Sequence, residues 1–185
     1  MRYFRLMFAL PVVLAVAACG GGSAGQPPAA TPDALTRGIA AQNANKTDEA
    51  TKDYFEVLFN DPKNKFAFYN LGEIAQRQNR MAAAESFYRL ALEQDSKMTS
   101  ALFNLAIVRT NLGATADAVS LYRQVIAVDP NYAAAHFNLG LLLRQLGQTA
   151  DAQTELATAQ RLDAKLVAPS PSATPVQQAS PTRKP

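Results

Sequence analysis

The sequence predicts an all-α solenoid of helix–turn–helix units, and three observations carry that prediction. A four-residue signature returns every 34 positions, apolar residues recur at helical spacing, and turn residues fall in the same columns of each unit. The signature is Tyr69-Asn70-Leu71-Gly72, Phe103-Asn104-Leu105-Ala106 and Phe137-Asn138-Leu139-Gly140. A fixed period of this length marks a supersecondary piece that buries its core only by stacking on its neighbours.

Extended in both directions, the frame divides residues 31–166 into four units, 31–64, 65–98, 99–132 and 133–166. The eighth column holds Gly38, Gly72, Ala106 and Gly140, small residues that let two helices approach, and the twentieth holds Ala50, Ala84, Ala118 and Ala152. Large residues follow one turn later, Tyr54, Tyr88, Tyr122 and Leu156, and then Val57, Ala91, Val125 and Ala159. This i, i+4, i+7 spacing is the buried stripe of an amphipathic helix.

The punctuation predicts two helices per unit. Column fifteen carries Asn45, Asn79, Gly113 and Gly147, residues that tolerate the left-handed conformation ending a first helix. Two positions on, Thr47, Thr115 and Thr149 suggest N-caps of a second helix, with Met81 in unit two, and Asp48, Glu49, Asp117 and Asp151 put negative charge in its first turn. Asp61, Asp95, Asp129 and Asp163 recur near each unit's end, where an Asx-type turn would lead into the next unit.

These columns resemble the tetratricopeptide repeat, in its pattern of a large residue, Leu-Gly, a small alanine, an aromatic and a proline. The resemblance covers about 136 of 185 residues, and its four copies run in register without an insertion. It implies a right-handed superhelix of paired helices. The departures are the absence of tryptophan, with Ala34, Phe68, Leu102 and His136 in column four, and the column-eleven set Ala41, Ala75, Arg109 and Leu143. Unit one is degenerate, with Arg37 where leucine is expected, so its docking is the least determined by sequence.

Ahead of the repeats, Arg2 and Arg5 precede the apolar run Leu6 to Ala18, which ends Val16-Ala17-Ala18-Cys19. Thirteen residues interrupted by Pro11 fall short of the roughly 20 needed to span a membrane. A basic start, a short apolar stretch and small residues before a cleavage site describe an export signal over residues 1–18. The chain's one cysteine stands where bacterial lipoprotein signals are cut, so this segment resembles a lipobox. That resemblance implies a diacylglyceryl group on Cys19, usually with an amide-linked acyl chain, and two or three chains anchor stably. Localisation on the outer face of a cell membrane or on an outer membrane follows from it. Residues 19–30 read as a tether rich in glycine, serine, alanine and proline, and 167–185, with five prolines, as a disordered tail.

Composition narrows the function. Hydrophobic content of 48% suffices for one quasi-one-dimensional core. Removing the signal leaves 16 basic against 15 acidic side chains, scattered through the repeats, which argues against a nucleic-acid partner. No metal-ligand set, phosphate loop or nucleophile elbow is present, so neither an enzyme nor a cofactor is expected. His136 shares its column with Phe68 and Leu102 and reads as a packed ring.

Binding remains. In tetratricopeptide proteins the first helix of each unit lines a concave groove, and the resemblance assigns to it Tyr69, Asn70, Glu73 and Arg77 in unit two. Unit three contributes Phe103, Asn104, Ile107 and Asn111, and unit four Phe137, Asn138, Leu141 and Arg144. A carboxamide offers a donor and an acceptor, so Asn70, Asn104 and Asn138 can pair with successive amides of an extended polypeptide while the aromatics supply apolar area. The competing reading is that the asparagines bridge adjacent helices. The lysines of a carboxylate clamp are missing, with Leu35, Tyr69, Ser100 and Ala134 in their columns.

The expectation is a membrane-anchored adaptor or scaffold in bacterial envelope assembly, similar in architecture to lipoproteins that help assemble type IV pili, outer-membrane proteins or murein-enzyme complexes. The alternatives are a regulatory subunit of a cell-wall enzyme, acting through His136, and a cell-wall spacer acting through the tail. Leu162, Leu166 and Val167 are apolar positions open to a second subunit, which would make a homodimer.

Overall fold

The computed structural model describes residues 33–168. The signal, Cys19, the tether and the tail from residue 169 lie outside the described residues. Within them the chain forms eight α-helices and no strand. These are α1 (Ala34–Asn43), α2 (Thr47–Asn60), α3 (Lys65–Arg77), α4 (Met81–Gln94), α5 (Thr99–Asn111), α6 (Thr115–Val128), α7 (Ala133–Gln145) and α8 (Thr149–Leu162). Each helix packs on the next, and α3 also touches α5, so successive helix pairs stack into a solenoid.

The close approach inside each pair is made by the eighth column. A Cβ added to Gly72 would lie 2.6 Å from Cε1 of Tyr88, and one on Gly38 would lie 2.7 Å from Cε1 of Tyr54. In unit four the Gly140 position meets Cγ of Leu156 at 2.7 Å. Tyr54 and Tyr88 are fully buried, and Tyr122 packs with Ala106 in the largest core cluster. The core continues along the axis: Ala41, Tyr54, Val57, Leu71 and Ile74 form one cluster, so α1 is docked and the degenerate first unit packs like the others.

The turns follow the recurring residues. Asn45, Asn79, Gly113 and Gly147 all take positive φ, between 58° and 77°. Bonds such as Lys46 N to Ala41 O, 2.9 Å, and Asn45 N to Gln42 O, 3.1 Å, close the first helix in a Schellman pattern. The threonines play a different part from the expected one. Thr47, Thr115 and Thr149 are first helical residues, and the caps are Lys46, Ala114 and Gln148, which make no side-chain cap bond. The reason is the shortness of the connection: one residue after the left-handed position the chain is already at the cap. The aspartates do form Asx turns, with amides of Lys63, Lys97, Asn131 and Lys165 donating to Asp61, Asp95, Asp129 and Asp163 over 3.0–3.3 Å.

Both ends of the stack are polar. Where units two to four bury Leu71, Leu105 and Leu139, α1 carries Arg37, which pairs with Asp53 at 3.0 Å and Glu56 at 2.8 Å. At the other end Gln160 is exposed in the column that holds half-buried Leu58, Leu92 and Ile126. A solenoid needs such polar outer faces to stay soluble, and the Leu-to-Arg departure at position 37 is therefore a cap.

Two outcomes test this account. Gly72→Val forces a branched side chain into the Tyr88 ring and is expected to cost about 2–3 kcal/mol in chemical unfolding. Burial also pushes the phenols of Tyr122 and Tyr132 up to about 12. An unfolded tyrosine ionises near about 10, so on raising the pH the unfolded chain releases these protons first. The stability is then fully present below pH of about 10 and falls as pH climbs toward about 12; urea midpoints across that range measure the decline.

Candidate functional site

Residues of columns five, six, nine and twelve of the first helices come together with second-helix tyrosines in a hydrogen-bond ladder. The Tyr54 hydroxyl donates to Oε1 of Gln42 at 2.7 Å, and Nε2 of Gln42 donates to Oε2 of Glu73 at 3.1 Å. The Tyr69 hydroxyl donates to Oε1 of Glu73 at 3.2 Å and accepts from Nδ2 of Asn104 at 3.2 Å. Five residues of α1, α2, α3 and α5 thus link the first three units. The Tyr88 hydroxyl repeats the Tyr54 bond on Gln76 at 2.7 Å. Burial, with the Glu73 charge behind it, holds the phenols of Tyr69 and Tyr88 above their ordinary range, so both remain neutral donors.

The twelve groove residues therefore divide. Tyr69, Glu73 and Arg144 are half-buried, and Arg77 and Asn111 are exposed. The other seven are buried. Phe103 is wholly enclosed, tilted against Tyr132 at 4.9 Å and edge-on to Tyr122 at 5.7 Å, so it belongs to the core rather than to an open apolar strip. Ile107 lies in the same cluster. Phe137 and Leu141 are covered by Leu156, Leu166 and Ala168. Leu166 is thus engaged by its own chain rather than open to a second subunit: it occupies the column of Tyr132 and covers Phe137 as Tyr132 covers Phe103. Val167 remains exposed.

The three asparagines are not equivalent. Nδ2 of Asn70 donates to the Phe66 carbonyl oxygen at 2.8 Å, and Asn104 bonds Tyr69. Asn138, 3% exposed, has no hydrogen-bond partner for either Nδ2 or Oδ1 among the described residues, and neither has the Tyr122 hydroxyl. Two differences between copies explain this. Phe103 lacks the hydroxyl that Tyr69 offers to Asn104, and Thr110 replaces the glutamine that Tyr54 and Tyr88 bond. Asn138 and Thr110 lie near enough to the Tyr122 hydroxyl to favour its ionised form against the dominant effect of burial, yet neither completes a bond with it. Thr110 instead donates to the Ala106 carbonyl oxygen at 2.9 Å.

The glutamines were missed in the sequence. Their signal was present: Gln42 and Gln76 stand 34 apart and each lies twelve residues before its tyrosine.

His136 has a structural place. Its Nδ1 is 2.6 Å from Oε2 of Glu155 and its Nε2 is 3.1 Å from the Pro130 carbonyl oxygen, so the ring ties α7 to α8 and to the preceding turn. Among the described residues no three His, Cys, Asp or Glu side chains are grouped to hold a metal ion, and no helix is long and apolar enough to cross a membrane.

Stacked helix pairs with a polar ladder along the first helices define the class: an all-α protein built of repeated helix pairs. The chain belongs to the tetratricopeptide repeat family, whose models match residues 35–99 and 133–166, with a further TPR repeat model over 108–147. Among solved structures, a crystal structure of MamA is similar at 20% identity and TM-score 0.64, over 69% of this chain and 74% of that one. A tetratricopeptide repeat protein from Parabacteroides merdae ATCC 43184 aligns at 24% identity and TM-score 0.65, over 71% of this chain and 53% of that one. YrrB, described as a TPR protein with an unusual peptide-binding site, aligns at 18% identity and TM-score 0.65, over 71% of this chain and 68% of that one. At these identities the likeness is one of fold. No match is found among curated proteins.

Leucine substitutions separate the asparagines. Asn104→Leu removes a made bond and leaves the Tyr69 hydroxyl only its bond to Glu73, and is expected to cost about 0.5–1.5 kcal/mol. Asn138→Leu removes a carboxamide that bonds nothing among the described residues and is expected to be neutral or stabilising in the same urea titration.

Proposed function

We propose that this protein is an exported, lipid-anchored adaptor that holds a polypeptide partner on the concave face formed by the first helices of its repeats. Membership of the tetratricopeptide repeat family supports the binding role, and the lipobox-like Val16-Ala17-Ala18-Cys19 supports the anchor. The observation that carries the reading is Asn138, a buried carboxamide in a groove column with a donor and an acceptor unused. An unpaired buried amide costs about 1–3 kcal/mol, a cost recovered when Asn138 turns out of its enclosed position and pairs with the amide group of an extended chain. Tyr69, Glu73 and Arg77 in unit two, Asn111 in unit three and Arg144 in unit four are the accessible polar side chains of the assigned set and give the partner its register. Asn70 bonds a carbonyl of its own helix and Asn104 ties α5 to α3, so of the three asparagines only Asn138 keeps both its donor and its acceptor for a partner.

The test is crosslinking with mass spectrometry on the full chain in a bacterial envelope, comparing the unaltered protein with Asn138→Ala and with Cys19→Ser. Asn138→Ala is expected to remove the dominant crosslinked partner while leaving helicity intact. Cys19→Ser is expected to abolish labelling by an alkyne fatty acid and release the protein from the membrane fraction. Unchanged partners with Asn138→Ala would remove the groove from the mechanism.

A further inference from the structure

The outward face of α2 is unlike that of the other second helices. Phe55 is 50% exposed and Phe59 87% exposed, one turn apart. Their columns hold Arg89 and Glu93 in α4, Arg123 and Ala127 in α6, and Ala157 and Arg161 in α8, which suit contact with water. Asp48, Lys52, Phe55 and Phe59 form an i, i+4, i+7, i+11 stripe on one side of the helix, and Lys63 stands in the turn beyond it. All five are exposed, and Asp48, Lys52 and Lys63 make no ion pair among the described residues.

We infer that this face of α2 is a self-complementary contact with a second copy of the chain, two α2 helices packing antiparallel about a two-fold axis that passes between Phe55 and Glu56. That axis leaves the Phe55 rings of the two copies adjacent, each one residue off the position directly opposite. It lays Phe59 over the aliphatic stem and ammonium of the opposite Lys52, an apolar and cation–π contact. It also sets Asp48 opposite Lys63 at both ends, because residues whose numbers sum alike face each other across an antiparallel pair. A two-fold contact requires such reciprocity, residue i meeting j and j meeting i.

Charge favours a second copy over an anionic lipid surface. Residues 46–63 carry five acidic and three basic side chains, a balance that anionic headgroups repel. Glu49 is paired with Lys46 and Glu56 with Arg37 in the same chain, which leaves Asp48, Lys52 and Lys63 for the partner. The 14 residues of α2 give a contact about 21 Å long, with an aromatic centre and a polar rim. A surface of this size gives a reversible, concentration-dependent dimer rather than an obligate one. It is independent of the lipid anchor and leaves the first-helix groove columns uncovered.

The experiment uses two full-length copies with different tags, expressed together and recovered through one tag. Unaltered copies are expected to copurify. F55R/F59E, which installs the residues that α4 carries in these columns, is expected to reduce copurification at least tenfold with circular dichroism and melting unchanged. D48K and K63D are each expected to weaken it, and D48K/K63D to restore it, since the swap rebuilds both ion pairs only across the two-fold contact. Copies that fail to copurify, or that copurify equally with F55R/F59E, overturn the inference, as does failure of the double swap to restore. If F55R/F59E instead moves the protein from the membrane to the soluble fraction with copurification unchanged, the face meets lipid and the dimer is overturned.

Discussion

The approach of a small residue in the first helix to a ring in the second sets the geometry on which everything else in the solenoid rests. With Gly38 against Tyr54 and Gly72 against Tyr88, the helices of a pair come close enough that no Cβ fits between them. That proximity carries each tyrosine hydroxyl across to the far end of the first helix, where Gln42 and Gln76 accept its bond at 2.7 Å. A buried hydroxyl without a partner is costly, so glycine and glutamine in these units are parts of one device. Packing and polar satisfaction are solved together.

Unit three departs from this device, and the departure leaves buried polar atoms without partners among the described residues. Ala106 stands in place of glycine, Thr110 in place of glutamine and Phe103 in place of Tyr69, and the ladder stops at Asn138 and Tyr122. Repetition makes the comparison controlled, because each copy is a near-replicate of the others in backbone and environment. A polar group unsatisfied in one copy and satisfied in the rest has a local, nameable cause. Here two missing oxygen atoms, one on a ring and one on an amide, suffice.

The faces of the solenoid are managed unequally. Its ends are closed by Arg37 with its two carboxylates and by exposed Gln160, so the stack does not invite further units. The terminal segment performs a similar service on the first-helix side, where Leu166 and Ala168 cover Phe137 and Leu141. Against that background the bare rings of Phe55 and Phe59 stand out. Isolated exposed apolar residues are ordinary, whereas two rings on one stripe, bracketed by opposite charges in a mirrored order, describe a surface that matches itself.

Much of the fold was legible in the sequence because a period is a statement about geometry. Residues that recur every 34 positions in small, aromatic and turn columns leave few structures other than stacked helix pairs, and the left-handed Asn45, Asn79, Gly113 and Gly147 and the Asx aspartates appear where their chemistry requires. The candidate site was legible only as a set of columns. A column says which side of a helix a residue occupies, not whether the next unit covers it or which atom it meets. Phe103 enclosed by Tyr132, Asn104 tied to Tyr69 across 35 positions, and Arg37 turned from a defect into a cap were all decided by contacts between units. The sequence by itself determined the periodic backbone, since that follows from local propensity and spacing. Tertiary structure decided which carboxamides were bonded, because a hydrogen bond depends on the last ångström of approach between elements that the chain brings together only by folding.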